Sequence, residues 1–375
     1  MNVTIESFSS VNDPSTYSDI SKKFTIKGNA GYCAEVINYG ARIYKLFVPD
    51  KKTSKTADIV LGPKDLDGYL ADGANHGAVV GRSANRIAGA KFTIDGVSYS
   101  IPQNDGTNNL HTGDKAYQFK FWDNEVLDKD RTDRFIESSG IPGLFDNEDK
   151  RSAGESVLFS CISEDGENGF PGKLKTDVLY AWLQDDTFLI LYRGESDKKT
   201  VFAPTNHAYF NISGHDKGYV GNQLLTMDCD KVTLKGSDNC PNGEYLDVDG
   251  TPFDFRNESP VSKCLDLTHP QICDCKGIDQ NFCLNNGGRY AKVCVLKDDK
   301  SSRIMETWTD LPGIQLYAGN HLDSSDNKDG AVYKQFDALC IEAQMYPNAV
   351  NIPGFDSPVI AAGVPKFHAC GYRFI

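Results

Sequence analysis

His207 lies in Thr205-Asn206-His207-Ala208-Tyr209-Phe210-Asn211-Ile212-Ser213-Gly214, a stretch that follows a strongly β-like run and stops at a glycine. Imidazole gives or takes a proton near neutral pH. The neighbouring amides can hold a polyhydroxylated ligand, and the aromatic rings can flank it. The same pattern also describes a core histidine bonded to a backbone carbonyl. Glu342 interrupts the nearly continuous apolar run Ala338-Leu339-Cys340-Ile341-Glu342-Ala343. In a strand it shares a face with Cys340 and Gln344, while Leu339, Ile341 and Ala343 take the other. Burying an unpaired charge is costly. Glu342 therefore faces a polar cleft, has a shifted pKa, or sits on a solvated sheet face.

Four further stretches carry groups suited to holding a hydroxylated ligand. Gly81-Arg82-Ser83-Ala84-Asn85-Arg86-Ile87-Ala88-Gly89 joins two arginines and an asparagine between glycines. A guanidinium fork donates to several hydroxyls or to a carboxylate, although solvated charges on a surface loop read the same way. Asn108-Asn109-Leu110-His111-Thr112-Gly113 puts His111 in a polar loop, either a binding loop or an ordinary turn. Gly277-Ile278-Asp279-Gln280-Asn281-Phe282 sets one carboxylate among amide and apolar neighbours, and Gly313-Ile314-Gln315-Leu316-Tyr317 is a strand with one amide at its centre.

The elements that must position these groups read as antiparallel strands. Lys23–Lys27, Ala34–Gly40 and Arg42–Val48 alternate and are punctuated by Gly, Asn and Asp. Lys91–Ile94 and Val97–Ile101 form a hairpin across Asp95-Gly96, a pair that tolerates the positive φ of a tight turn. Thr176–Trp182 and Thr187–Arg193 form another. Pro241–Glu244 and Thr251–Phe255 read as turn-rich. Residues 1–21, rich in Ser, Asn and Asp, read as a loose or edge segment. Residues 127–156 are acidic, with interspersed glycines, and read as a long surface insertion. The whole chain, 1–375, is expected to be one domain.

Composition narrows the function. Hydrophobic residues are 39% and charged residues 24%, as in a folded globular protein. A net charge of −13 disfavours nucleic acid and anionic membranes as partners. No apolar run reaches the ~20 residues of a membrane helix, and no secretory signal is visible. The 11 cysteines suit a reduced, cytoplasmic setting. Cys273-Asp274-Cys275 is the only close pair and lacks a partner pair, so the cysteines are read as free thiols without metal. The expected partner is a small-molecule ligand. The sequence leaves open a monomer or a weak dimer.

Taken together and in order, Gly81–Ile87, Asn109-Leu110-His111, Thr205–Asn211, Gly277–Phe282 and Cys340–Gln344 resemble the motifs of the aldose 1-epimerases, or galactose mutarotases, over about residues 22–375. The resemblance implies an all-β fold, a large antiparallel β-supersandwich of the galactose mutarotase type with the sugar in an open cleft. It implies interconversion of the α and β anomers of free aldohexoses such as galactose and glucose, without a cofactor. By the same match, His207 corresponds to the general acid and Glu342 to the general base. Asn85, Arg86, His111, Asp279 and Gln315 correspond to sugar-binding positions, to which Tyr209 is added. Three departures stand out. Leu-His-Thr-Gly replaces the usual Leu-His-Gly-Gly, the acidic stretch is longer than usual, and residues 366–375 match the final strand loosely.

The implied chemistry suits these residue types. Anomers interconvert through the open aldehyde: the C1 hydroxyl loses a proton, the ring oxygen gains one, C1 rotates and the ring recloses. Unperturbed pKa values near 4.3 and 6.5 give an ionised Glu and a partly protonated His around neutrality. No redox step, phosphate or nucleophilic adduct is required, in keeping with the lack of a dinucleotide fingerprint or P-loop. The rivals are a hexose-6-phosphate 1-epimerase, in which Arg82 and Arg86 would supply a cationic pocket, and a non-catalytic sugar-binding protein on the same fold. A glycosidase, with its two carboxylates, fits the His/Glu pair poorly.

Overall fold

The computed structural model describes residues 3–10, 12–146 and 148–375. Three sheets dominate, and their strand pairs are all antiparallel. The first has five strands in sequence order, Val3–Ser7, Lys22–Lys27, Cys33–Ile37, Arg42–Pro49 and Thr56–Asp58. The segment 1–21 thus contributes an edge strand, Val3–Ser7, paired with Lys22–Lys27. The hairpin at Asp95-Gly96 forms, with φ of 50° and 81° at its two turn residues.

The largest sheet has nine strands. Asp123–Leu127, Ser156–Ser163, Leu174–Trp182 and Thr187–Ser196 run in order, and Lys366–Phe374 follows directly on Thr187–Ser196. Arg303–Thr309, Ala291–Asp298, Leu224–Met227 and Ser259–Pro260 complete it. Its central strands Leu174–Trp182 and Thr187–Ser196 are covered on both faces, which is why residues 188–192 read as a continuous apolar run and not an alternation. Val178, Tyr180 and Trp182 face the main core, while Leu179 and Ala181 face a second cluster.

That second cluster revises the reading of residues 127–156. They hold the helix Lys129–Ser138, capped by the Asp128 side chain, which accepts from the Arg131 amide. Leu127, Ile136 and Leu144 are buried against Leu179, Leu189, Leu191 and Ala369. The acidic side chains face outward, but the segment closes one face of the largest sheet and is not a solvated insertion. Few apolar residues among many charges of both signs hid this role.

The third sheet carries the polar groups of interest. Its six strands run in the order Tyr209–Phe210, Leu339–Gln344, Gly313–Tyr317, Asp279–Leu284, Cys229–Lys235 and Pro241–Asp247. The last was read as turn-rich. It is an edge strand with proline at its first position, where a missing N–H is tolerated. The 11 cysteines are all free. Among the described residues, no helix is long and apolar enough to cross a membrane.

Candidate active site

Register explains why the six-stranded sheet presents a polar face. Asp279 lies opposite Tyr317, Tyr317 opposite Cys340, and Cys340 opposite Tyr209. One row along, Asn281 lies opposite Gln315 and Gln315 opposite Glu342. Directly opposed residues share a face, and so do residues two apart on a strand. Side chains from four strands therefore converge on one side, while Phe210, Phe282, Ile314, Leu316, Leu339 and Ile341 fill the core on the other. The polar side opens into a cleft of about 500 Å³, whose walls include Asn85, Arg86, His111, His207, Tyr209, Asp279, Gln315 and Glu342. Every site residue expected from the sequence reaches this cleft.

His207 is seated by its backbone. Its N–H donates to the Ala78 carbonyl (2.8 Å), and its own carbonyl accepts from the Gly77 amide (2.9 Å). Gly77 has φ +68°, and a Cβ there would lie 2.1 Å from the Ile43 carbonyl oxygen, so only glycine allows this approach. The Tyr209 ring stacks on the imidazole with centroids 5.0 Å apart. Its hydroxyl donates to the Ala74 carbonyl at 3.0 Å, which leaves Tyr209 backing the imidazole. Behind Tyr209 comes His76, 4.5 Å between centroids, whose Nδ1 lies 3.0 Å from Asp72. Asp72 also accepts from buried Arg42 at 2.9 Å. Burial opposes the Asp72 charge, but His76 and Arg42 overcome it and hold the carboxyl below its usual range. The Asp72–His76–Tyr209 backing was not legible in the sequence, because Asp72 and His76 lie in an ordinary polar turn and Tyr209 is remote from both.

Glu342 Oε1 stands 3.8 Å from His207 Nε2. The opposite ring nitrogen, Nδ1, stands 3.7 Å from the Cys340 thiol. These three side chains bring donor atoms within 4.8 Å of one another. Nε2 thus faces the Glu342 carboxyl and Nδ1 the Cys340 thiol. Burial pushes the His207 imidazole down to about 4. Burial, and then the nearby Asp279 charge, pushes the Glu342 carboxyl well above its ordinary value. Burial thus inverts the usual order of the pair, the carboxyl keeping its proton to higher pH than the imidazole does.

The loop residues lock one another. The Asn85 amide donates to His111 Nδ1 (3.1 Å), and the His111 amide donates to the Asn85 carbonyl (3.0 Å). Asn85 and His111 both have positive φ, 56° and 54°. Burial, with His207 and Arg86 adding to it, holds His111 well below its usual pKa. Neutral His111 with Nδ1 accepting carries its proton on Nε2. Arg86 Nε donates to Asp105 (2.6 Å), and its Nη1 lies 3.7 Å from Asp279. Burial works against the Arg86 charge, but Asp279 and Asp105 raise its pKa overall. Gln315 Nε2 donates to Asp279 at 2.5 Å, and Gln344 Nε2 donates to Gln315 Oε1 at 3.2 Å.

Three polar residues of the same motifs, Arg82, Asn206 and Asn211, serve the backbone instead of the cleft. Arg82 is buried and donates to the Ser163 and Thr200 hydroxyls and to the carbonyls of Ser163, Glu164, Pro171 and Gly172. Asn206 and Asn211 donate to the carbonyls of Gly77 and of Gly218 and Asp337. The amides beside His207 hold the backbone in place. Asp105 was missed because Asn104-Asp105-Gly106 has the composition of any turn.

The aldose 1-epimerase family model matches residues 22–373. Galactose mutarotases of Bos taurus and Homo sapiens are each 34% identical over 342 residues, covering 91% of this chain and 90% of theirs. The aldose 1-epimerase of Escherichia coli K12 is 28% identical over 335 residues, 89% of each chain. An aldose epimerase homologue from C. elegans superposes with a TM-score of 0.80 at 28% identity, covering 95% of this chain and 99% of that one.

Proposed function

We propose that this chain, which belongs to the aldose 1-epimerase family and interconverts the α and β anomers of free aldoses, does so with His207 as general acid and Glu342 as general base. The observation that carries the assignment is the 3.8 Å gap between His207 Nε2 and Glu342 Oε1 at the cleft wall. Neither group satisfies the other at that distance, so both are left for the sugar. Glu342 takes the C1 hydroxyl proton while His207 protonates the ring oxygen. The C1–O5 bond breaks, leaving an aldehyde and a free hydroxyl. Rotation about C1–C2 and the reverse transfers close the ring on its other face.

The inverted order of the two proton affinities suits this cycle. Imidazolium with carboxylate and imidazole with carboxylic acid hold the same number of protons. The second form is also the one left once the ring has opened. Hydrogen bonds from the C1 hydroxyl to Glu342, and from His207 to the ring oxygen, favour the charged form when the cyclic sugar binds. The cleft thus needs no proton from solvent between the two states.

Arg86, Asn85, His111, Asp279 and Gln315 hold the sugar hydroxyls, supplying both donors and acceptors. Fixing the ring against the catalytic pair supplies much of the barrier reduction. Tyr209 keeps the imidazole in its plane. A neutral sugar is favoured over a phosphorylated one. With Arg82 buried elsewhere, Arg86 is the only lysine or arginine at the cleft wall among the described residues, against Asp105, Asp274, Asp279 and Glu342. Polarimetry on fresh α-galactose, α-glucose and α-glucose 6-phosphate tests the reading. The free sugars should turn over far faster; a preference for the phosphate would overturn it.

A further inference from the structure

We propose that Asp105 sets the charge class of sugar the cleft accepts, by tethering Arg86 and by placing a carboxylate at the rim that rejects anionic aldoses. The proposal rests on the neutral-sugar reading above and assigns it to one residue. Asp105 Oδ2 accepts from Arg86 Nε at 2.6 Å, while Asp279 lies 3.7 Å from Nη1 on the other side. The guanidinium is therefore gripped between two carboxylates, and the three groups together carry a net negative charge. A phosphate or carboxylate approaching Arg86 finds its Nε edge already taken. The bidentate grip by which arginine binds oxyanions is lost to it.

Asp105 is held in that position by its own loop. Asn104 accepts from the Leu110 amide (2.7 Å) and donates to the Leu110 carbonyl (2.8 Å). The Asp105 and Asn108 backbones bridge, and Asn108 donates to the Asp238 carbonyl at 3.0 Å. The Asp105 side chain remains 35% exposed, so its charge reaches a ligand entering the cleft. Rejection of the wrong ligand by a placed like charge is a common source of specificity.

Asp105→Asn removes the charge and keeps an acceptor for Arg86. Asp105→Ala removes both. We would measure kcat/KM for glucose, glucose 6-phosphate and glucosamine, which is cationic, in the wild type and both variants. Where turnover of the phosphate is too slow, its inhibition constant against glucose serves instead. Asp105→Asn should raise the glucose 6-phosphate to glucose ratio by about tenfold or more and lower the glucosamine to glucose ratio. In Asp105→Ala the same shifts should accompany a higher KM for glucose, as Arg86 loses its tether. Opposite movement of the anionic and cationic ratios separates a charge effect from loss of structure. Unchanged ratios in a folded Asp105→Asn protein would overturn the proposal. A wild type that prefers the phosphate would instead overturn the neutral-sugar reading, whatever the variant does.

Discussion

His207 and Gln315 never touch, yet both are set against Glu342, one from a loop and one across a strand pair. Gln315 lies directly opposite Glu342 in the sheet, and His207 Nε2 approaches it to 3.8 Å. The sheet thus fixes where Glu342 stands, and its carboxyl faces the imidazole across that gap.

Glu342→Gln keeps the shape and removes the proton acceptor. General acid–base catalysis contributes ~10²–10⁴-fold, so kcat should fall by about that factor. Equilibrium binding of galactose, followed by calorimetry, should change little. Near-normal turnover would remove Glu342 from the mechanism.

The pH dependence separates two assignments. Catalytic efficiency should follow a bell, because the working pair holds one proton between two sites. From unperturbed values the acid limb belongs to Glu342 and the alkaline limb to His207. Burial reverses them in the free enzyme: the acid limb comes as His207 takes a second proton near pH 4, and the alkaline limb as Glu342 loses its proton above the ordinary carboxylate range. His207→Asn should lower turnover strongly and abolish the acid limb near pH 4, since the group that sets it is gone. An acid limb that stays near pH 4 in that variant would contradict the shared-proton scheme.

Stability should follow the same burial. His207 is depressed from 6.5 to about 4, so its contribution is fully present above pH 6.5 and lost as pH falls through about 4. A shift of that size corresponds to about 3 kcal/mol. Thermal unfolding of the wild type should weaken between pH 6.5 and 4 more than that of His207→Asn. Parallel curves for the two proteins would show that the buried imidazole carries no such penalty.

The two arginines of Gly81–Gly89 should fail differently. Arg82→Met strips partners from buried carbonyls and hydroxyls, and should destabilise the fold by at least about 3 kcal/mol in denaturant titration. Arg86→Met should leave stability nearly intact and reduce kcat/KM by about 10- to 100-fold, mainly through KM. If both variants lose only stability, Arg86 does not hold the sugar.

Residues 127–156 read as dispensable from their composition, and a short Gly/Ser replacement of 128–150 would then be tolerated. The buried Ile136 and Leu144 reverse that expectation. Ile136→Ala should cost about 2–4 kcal/mol, and the replacement should expose the face of Leu179, Leu189 and Leu191 and bind a hydrophobic dye. A replaced protein with an unchanged unfolding midpoint would show that the cover is idle.

Glu342 was legible because one charged residue in an apolar strand pattern has few explanations. Its companions were legible only as isolated motifs. Asp279, Gln315 and Glu342 meet through cross-strand register, which no local spacing encodes. The difference between Arg82 and Arg86 depends on which carbonyls surround each guanidinium. The reversed protonation of His207 and Glu342 depends on burial, a property of the finished fold. The strands themselves were readable, the doubly covered hairpin of Thr176–Trp182 and Thr187–Arg193 included, and least so where a proline opens an edge strand.

The strand Lys366–Phe374 lies between Thr187–Ser196 and Arg303–Thr309 in the largest sheet. During synthesis, Thr187–Ser196 emerges about 170 residues before the strand that will cover its free edge. At ~5–20 residues per second on the ribosome, that edge stays unpaired for roughly ten to thirty seconds. Phe188, Leu189, Ile190 and Leu191 lie along it, the composition that pairs readily with other nascent chains. The seam can close only after Lys366–Phe374 has been translated, so until then the edge must be kept from pairing with other chains.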